Sequence, residues 1–258
     1  MPPLLAAAAA VTLVFCAPGY PGETGDAQPY LDQFAQTLAA AAGWQKGSLT
    51  AVYDPTESGG LARLARADAG LAFVPYPFVV AHGVQLHLAP LVDADVTDTG
   101  PRQRWQLIAQ RGRVKGPASL AGFTLVSTAG YAPGFITGTA LAAYPLPHDV
   151  HIEATGQVLS ALRRAAAGEP VAVLLDQSGA TALASLPFAG QLEAVAQSAE
   201  VPVAVLAVVD SRVPAARAQS LRTALLDLSH DRANAEVLAA LRLKGFVPAE
   251  LHGPTAAP

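Results

Sequence analysis

The sequence predicts an α/β protein of two lobes, each a mostly parallel sheet flanked by helices, with a cleft between them. Three observations carry this. Short apolar runs alternate with helical stretches along the chain, the pattern of βαβ units with right-handed crossovers. The alternation begins afresh after residue 100. The chain has 258 residues, enough for two lobes of about 100 to 150 residues each.

The elements follow in order. VTLVF (11–15) is an apolar strand, and the glycine- and proline-rich loop APGYPGETGD follows it. Tyr30, Leu31, Phe34, Leu38 and Ala42 share one helical face, with Asp26 placed to cap that helix and Gly43 to end it. LTAVY (49–53) is the second strand, SGGLARLARA a short helix, and residues 71–75 the third strand, stopped by the breaker Pro75-Tyr76-Pro77. The second series begins with WQLIAQ (105–110), then FTLVS (123–127), the helix GFITGTALAAY and the strand DVHIEA (149–154). The helix QVLSALRRAAAG, the strand VAVLL (171–175), LEAVA and VPVAVLAVV come next, and two helices, VPAARAQSLRTALLDLS and ANAEVLAALRLKG, close the chain. ARLARADAGLAFVPYP and ALRRAAAGEPVAVLLDQ repeat one phrase, from an arginine-bearing helix through an acidic turn into a buried strand.

Composition narrows the function. Hydrophobic residues make up 52% and charged residues 14%, so a core is readily built. The net charge of −4 speaks against a nucleic-acid partner, which needs a basic face. Cys16 is the only cysteine, so no internal disulfide forms. It is read as a small buried thiol; a lipid-modified cysteine is the sharper alternative, opposed by the bulky Phe15 before it. Residues 1–10 are read as the remnant of an export signal, apolar but without a basic start. The apolar run 4–17 is short for a membrane span.

In a wound sheet, ligands sit beyond the carboxyl ends of the strands. The loops there, at 18–22, 54–59, 75–77, 127–131 and 176–179, are rich in Gly, Ser, Thr, Tyr and Asp and contain no Lys or Arg. Ser127-Thr128-Ala129-Gly130, with Tyr131 beside it, stands where a strand turns into a helix. Unpaired amides and the helix dipole there favour an anion, and Gly130 admits a close oxygen. The same residues serve equally as a plain helix cap before Pro133. Asp176 ends an apolar run and either accepts a ligand proton or caps the next helix. Tyr20 and Tyr76 offer hydroxyls or ring faces from their loops, or simply pack.

Other groupings are weaker. His148, His151 and Glu153 suggest zinc, but His151 and Glu153 fall on the outer face of their strand with no further ligand nearby, which marks them as surface residues. Arg102, Arg104, Arg111, Arg113 and Lys115 put 5 of the 16 basic residues into positions 102–115. They read as a solvated hinge or as a phosphate clamp. Asp68 and Glu169 belong to turns. The sequence has no G-x-S-x-G elbow and no Walker-type phosphate loop, and neither an enzymatic activity nor a cofactor is expected.

ADAGLAFVPYPFVV, SLAGFTLVSTAGYAPG, AVLLDQS and VLAALRLKGFVP in this order resemble the substrate-binding proteins of phosphate, phosphite and phosphonate ABC transporters, a type II periplasmic-binding-protein family. The likeness runs over 11–250. It implies an exported, periplasmic or otherwise extracytoplasmic protein, a monomer, that captures a small phosphonate- or phosphate-like oxyanion by hinge closure and delivers it to a membrane permease. It implies lobes of 11–100 plus 203–258 and of 101–202. The family's S-T-x-S-G loop matches Ser127, Thr128 and Gly130, with Ala129 in place of its second serine. Its second-lobe aspartate matches Asp176, and its aromatic loop residues match Tyr20 and Tyr76. A sensing module without transport, or an enzyme using Asp176 or Glu57 on this fold, are the rival readings.

Overall fold

The computed structural model describes residues 10–19 and 24–250. Along the chain run β1 (Val11–Cys16), α1 (Thr24–Ala41), β2 (Leu49–Asp54), α2 (Glu57–Leu64), β3 (Ala69–Pro75), α3 (Tyr76–His82), β4 (Leu88–Val96) and β5 (Arg102–Gln103). Then come β6 (Gln106–Gln110), β7 (Thr124–Ser127), α4 (Pro133–Phe135), β8 (His151–Ala154), α5 (Val158–Ala166), β9 (Val171–Leu175), α6 (Gln177–Leu183) and β10 (Leu192–Gln197). The chain returns through β11 (Val201–Pro202), β12 (Ala204–Val209), α7 (Ala215–Asp227), α8 (Ala235–Ala240) and β13 (Leu243–Pro248).

The strands form two large sheets. The first has the order β13-β4-β12-β3-β1-β2, and the second β10-β6-β9-β7-β8. β5 pairs antiparallel with β11, where the chain passes between the sheets. Within the first sheet β1 is parallel to β2 and β3, while β12 runs antiparallel to both β3 and β4. Within the second, β7 is parallel to β8 and β9, and β6 is antiparallel to β9 and β10.

The central strands are apolar without interruption because both of their faces are covered. Leu13 and Phe15 of β1 meet Leu31, Phe34 and Leu38 of α1 and Leu221 and Leu225 of α7. Val14 and Cys16, on the opposite face, meet Leu64 and Phe78. In the second sheet Leu125 and Leu174 point to Trp105 and Phe135, while Val126 and Val173 pack on Ala161, Leu162 and Ala165 of α5.

Several expected elements are corrected. Residues 88–96, given no element from the sequence, form β4. The final stretch LKGFVP is not helical. Arg242 takes φ 56°, the chain turns out of α8, and β13 pairs antiparallel with β4. Tyr76-Pro77, expected only to break a strand, opens α3 with proline in its first turn, where its missing amide costs nothing. The helix expected over GFITGTALAAY is three α residues followed by the π-helical Ile136–Ala140, closed by the Leu141 amide on Ile136 oxygen at 2.8 Å. Asp26 lies within the first turn of α1 and does not precede it.

Candidate functional site

Ser127 ends β7 at the carboxyl edge of the second sheet and is completely buried. Its hydroxyl donates to the Leu174 carbonyl at 2.9 Å and accepts the Ala129 amide at 3.1 Å. Its carbonyl accepts from Gly130 at 3.1 Å and Thr155 at 3.0 Å, and the Ala132 amide turns back to Ala129 oxygen at 2.9 Å. The corner therefore satisfies much of its own polarity. Gly130 is required here for packing. A Cβ at this position would run into the backbone of Glu153 and Ala154 on β8. Thr128 is half-buried and faces the first lobe.

The two carboxyl edges meet in a seam. Gly19, just past β1, has φ +81°, and a Cβ on it would stand 3.0 Å from the Thr128 carbonyl oxygen. Conformation and proximity both call for glycine at 19. Tyr131 packs with the second-lobe cluster of Trp105 and Phe135 and also with the first-lobe cluster of Cys16 and Phe78. Its hydroxyl oxygen is fully enclosed and hydrogen-bonds no described group. Burial first, and then the nearby Cys16 and Glu57, drive its pKa far above the tyrosine range. Burial, with Asp54 and Glu57 adding, pushes the Cys16 thiol up to about 12. Glu57 at the start of α2 bonds His82 at the end of α3 across 2.8 Å, which ties together the two helices beside the Tyr131 ring.

At the hinge end of the seam three rings run in series. Tyr76 of α3 meets Phe135 of α4 edge-on at 6.2 Å, and Phe135 meets Trp105 at 5.3 Å. Trp105 is 1% exposed. Its indole N–H, like the Tyr131 hydroxyl, is enclosed without a hydrogen-bond partner among the described residues. Burial raises the Tyr76 phenol, with Arg102 pulling it down and Asp93 pushing it up. Asp93 is 1% exposed and lies 3.6 Å from Arg102, which also pairs with Glu250. Thr99 and Ser178 join hydroxyls across the lobes at 3.3 Å.

The structure thus gathers Ser127, Thr128, Ala129, Gly130 and Tyr131 at one corner, with Tyr76 further along the same seam. Asp176 is the N-cap of α6, its Oδ1 accepting the Gly179 amide at 2.8 Å, so the capping reading describes it. Tyr20 lies outside the described residues. The arginines hold loops and do not converge. Arg111 bonds the carbonyls of Gly190 and Leu192, Arg113 those of Gly168 and Glu169 while lying over the Phe123 ring, and Arg104 pairs with Glu200. His151 and Glu153 are exposed on β8, and among the described residues no group of His, Cys, Asp and Glu could hold a metal ion. Sequence reasoning missed Trp105, Phe135 and the Glu57–His82 pair. The available signal was Trp105 itself, an indole standing where the second strand series begins.

Two surface cavities, about 250 and 420 Å³, lie apart from the seam. One is lined by Thr12, Thr50, Arg63 and Asp68, towards the amino ends of β1–β3, and the other lies between α1 and α7.

Residues 62–252, 191 of the 258, match the family model described as ABC transporter, phosphonate, periplasmic substrate-binding protein. A search of curated proteins finds no match. Among solved structures, the chain resembles XAC2383 from Xanthomonas citri bound to ATP, with TM-score 0.70 and 15% identity over 94% of this chain and 92% of that one. It also resembles a binding protein component of an ABC phosphonate transporter from Pseudomonas aeruginosa, with TM-score 0.61 and 14% identity over 93% and 82%. A third is PhnD1 from Prochlorococcus marinus in complex with methylphosphonate, with TM-score 0.61 and 12% identity over 95% and 94%. At these identities the likeness is one of fold, a two-lobed type II binding protein. No helix among the described residues is long and apolar enough to cross a membrane.

Proposed function

Because this chain belongs to the phosphonate family of periplasmic substrate-binding proteins of ABC transporters, we propose that it captures a small phosphonate-like oxyanion in the seam between its lobes. Delivery to the permease follows. Residues 11–100 with 203–258 act as one lobe and 101–202 as the other, hinged at β5 and β11. The protein acts as a monomer, outside the cytoplasm, and performs no chemistry on its cargo.

The observation that carries the ligand site is the Tyr131 hydroxyl, enclosed between both lobes with no hydrogen-bond partner among the described residues. A buried hydroxyl left without an acceptor costs about 1–3 kcal/mol, and an anion oxygen in the seam removes that cost. Thr128, half-buried opposite Gly19, supplies a second hydroxyl. Ser127 orients the corner through Leu174 and Ala129 and does not touch the ligand, while Gly130 lets the corner seat on β8. Ala129 brings no hydroxyl. Tyr76 forms a wall, and Asp176 keeps α6 in place at the rim.

Hinge opening at β5 and β11 admits the ligand, and closure excludes water and strengthens each hydrogen bond. The test is a calorimetric and thermal-shift screen with methylphosphonate, longer alkylphosphonates, phosphate, phosphite, sulfate, alkylsulfonates, carboxylates and ATP. A ligand at about 100 times its Kd adds roughly 2.7 kcal/mol of stability. A response confined to carboxylates, with none to any phosphorus or sulfur oxyanion, refutes the proposal.

A further inference from the structure

We infer that Tyr131 is a latch: its ring, displayed by the second lobe, plugs into a socket in the first, so that the lobes rest closed on their own contacts and open to a solute only when this ring withdraws. The last step rests on the reading of the seam as the binding site; the latch itself does not. The sequence builds the display. Ala129 and Ala132 are each 1% exposed in the second-lobe core, and the Ala132 amide closes the turn on the Ala129 carbonyl at 2.9 Å. Pro133 then starts α4 with a fixed φ. With small residues buried on either side of it, Tyr131 is held on a turn that has little freedom to swing.

The socket is built as firmly. Tyr131 packs against the first-lobe cluster in which Cys16 and Phe78 are fully buried, with Leu61 of α2 and Val79 of α3 packed on the same cluster. After burial itself, the groups that act on its phenol are Cys16 and Glu57, both first-lobe residues, so the ring reaches in beside α2 and α3. Glu57 bonds His82 at 2.8 Å, and the His82 ring lies 4.8 Å from Phe78, which keeps the two helices from spreading around it. The rest of the seam is slighter. Thr99 and Ser178 meet as exposed hydroxyls at 3.3 Å, Tyr76 meets Phe135 edge-on, and Gly19 brings no side chain to Thr128. Aromatic rings are among the largest apolar surfaces a side chain can bury, and parting the lobes gives up the burial of this one. The hydroxyl adds nothing to closure, since it is enclosed without a hydrogen-bond partner among the described residues. The ring therefore holds the lobes, and the hydroxyl is left for the cargo oxygen.

Small-angle scattering with no added solute tests the latch on the wild type, Tyr131→Phe, Tyr131→Ala and Tyr131→Ser. The wild type and Tyr131→Phe should both scatter as the closed structure, with a radius of gyration of about 18 Å, that of a compact chain of this length. Tyr131→Ala and Tyr131→Ser should each be larger by about 1 Å as the hinge opens; two such variants are made so that one folded protein suffices. A wild type already as large as Tyr131→Ala, or a folded Tyr131→Ala or Tyr131→Ser as compact as the wild type, overturns the latch and leaves the oxyanion reading standing. Stopped-flow mixing of the wild type with methylphosphonate should give an observed rate that levels off at the rate of opening. A rate that climbs linearly through the whole range overturns the gate. Tyr131→Phe separates ring from hydroxyl: undiminished affinity for methylphosphonate there, with compact scattering retained, supports the latch and counts against the hydroxyl as a donor. Absence of heat with every oxyanion in the wild type sinks the seam reading, while the scattering still decides the latch.

Discussion

The Ser127 hydroxyl lies 2.9 Å from the Leu174 carbonyl and 3.1 Å from the Ala129 amide, so one buried side chain joins β7 to β9 and sets the turn that follows. Ser127→Ala leaves that carbonyl and that amide without their partner. We expect it to lower stability by about 1–3 kcal/mol, measured by denaturant unfolding. Thr128→Ala, in the same turn but facing the seam, should leave unfolding unchanged and weaken oxyanion binding about tenfold, a difference of roughly 1.4 kcal/mol.

The corner's two glycines should separate in the same way. A methyl at Gly130 meets the backbone of Glu153 and Ala154, which cannot move without displacing β8. Gly130→Ala should therefore cost about 1–3 kcal/mol in the ligand-free protein, the usual penalty of overpacking. Gly19→Ala places its methyl against Thr128 of the other lobe and strains a positive φ. It should act mainly on closure, raising the Kd and enlarging the ligand-free radius of gyration in small-angle scattering.

These assignments show what the sequence could and could not reveal. VTLVF and VAVLL were legible as strands because central strands covered on both faces are apolar throughout, and LTAVY, an edge strand with Thr50 exposed, through its β-branched and aromatic residues. β4 was hidden by Pro90, Asp93 and Asp95, which a strand tolerates here because a register shift opposite β12 passes the proline and Arg102 meets Asp93. β13 was hidden by the helical run before it and depends on the left-handed turn at Arg242. The corner at 127–131 was visible, but the inward turn of the Ser127 hydroxyl is a rotamer choice set by Leu174, 47 positions away. Trp105 joins the ring series that reaches the first-lobe Tyr76 only through Phe135, a contact that local pattern cannot supply.

The hinge pair gives another expectation. Asp93 is 1% exposed beside Arg102, and a buried carboxylate deprived of its cation costs about 3–5 kcal/mol. Arg102→Met should be strongly destabilising by thermal unfolding, while adding Asp93→Asn to it should restore most of the loss. If Arg102→Met alone is neutral, Glu250 and solvent are the partners that matter to Arg102.

The thiol and phenol at the seam fix a pH dependence. Cys16 is held protonated to about 12 in the folded protein against an ordinary value of 9.0. Tyr131 is raised from 10.0 in the same direction. The folded state therefore binds more protons than the unfolded chain once pH exceeds 9. The stabilisation is fully present below that value and is lost as pH climbs towards 12. The slope approaches about 1.4 kcal/mol per pH unit for each group, so Cys16 alone accounts for up to about 4 kcal/mol across its window. Unfolding free energies measured from pH 8 to 11.5 should fall steeply in the wild type and less steeply in Cys16→Ala. Equal slopes in the two proteins would mean that the thiol ionises freely in the fold, and iodoacetamide would then label Cys16 at pH 8 without unfolding. We expect that labelling to require denaturant, because the sulfur lies beneath Gly60 of α2 with its proton directed to the Thr56 carbonyl.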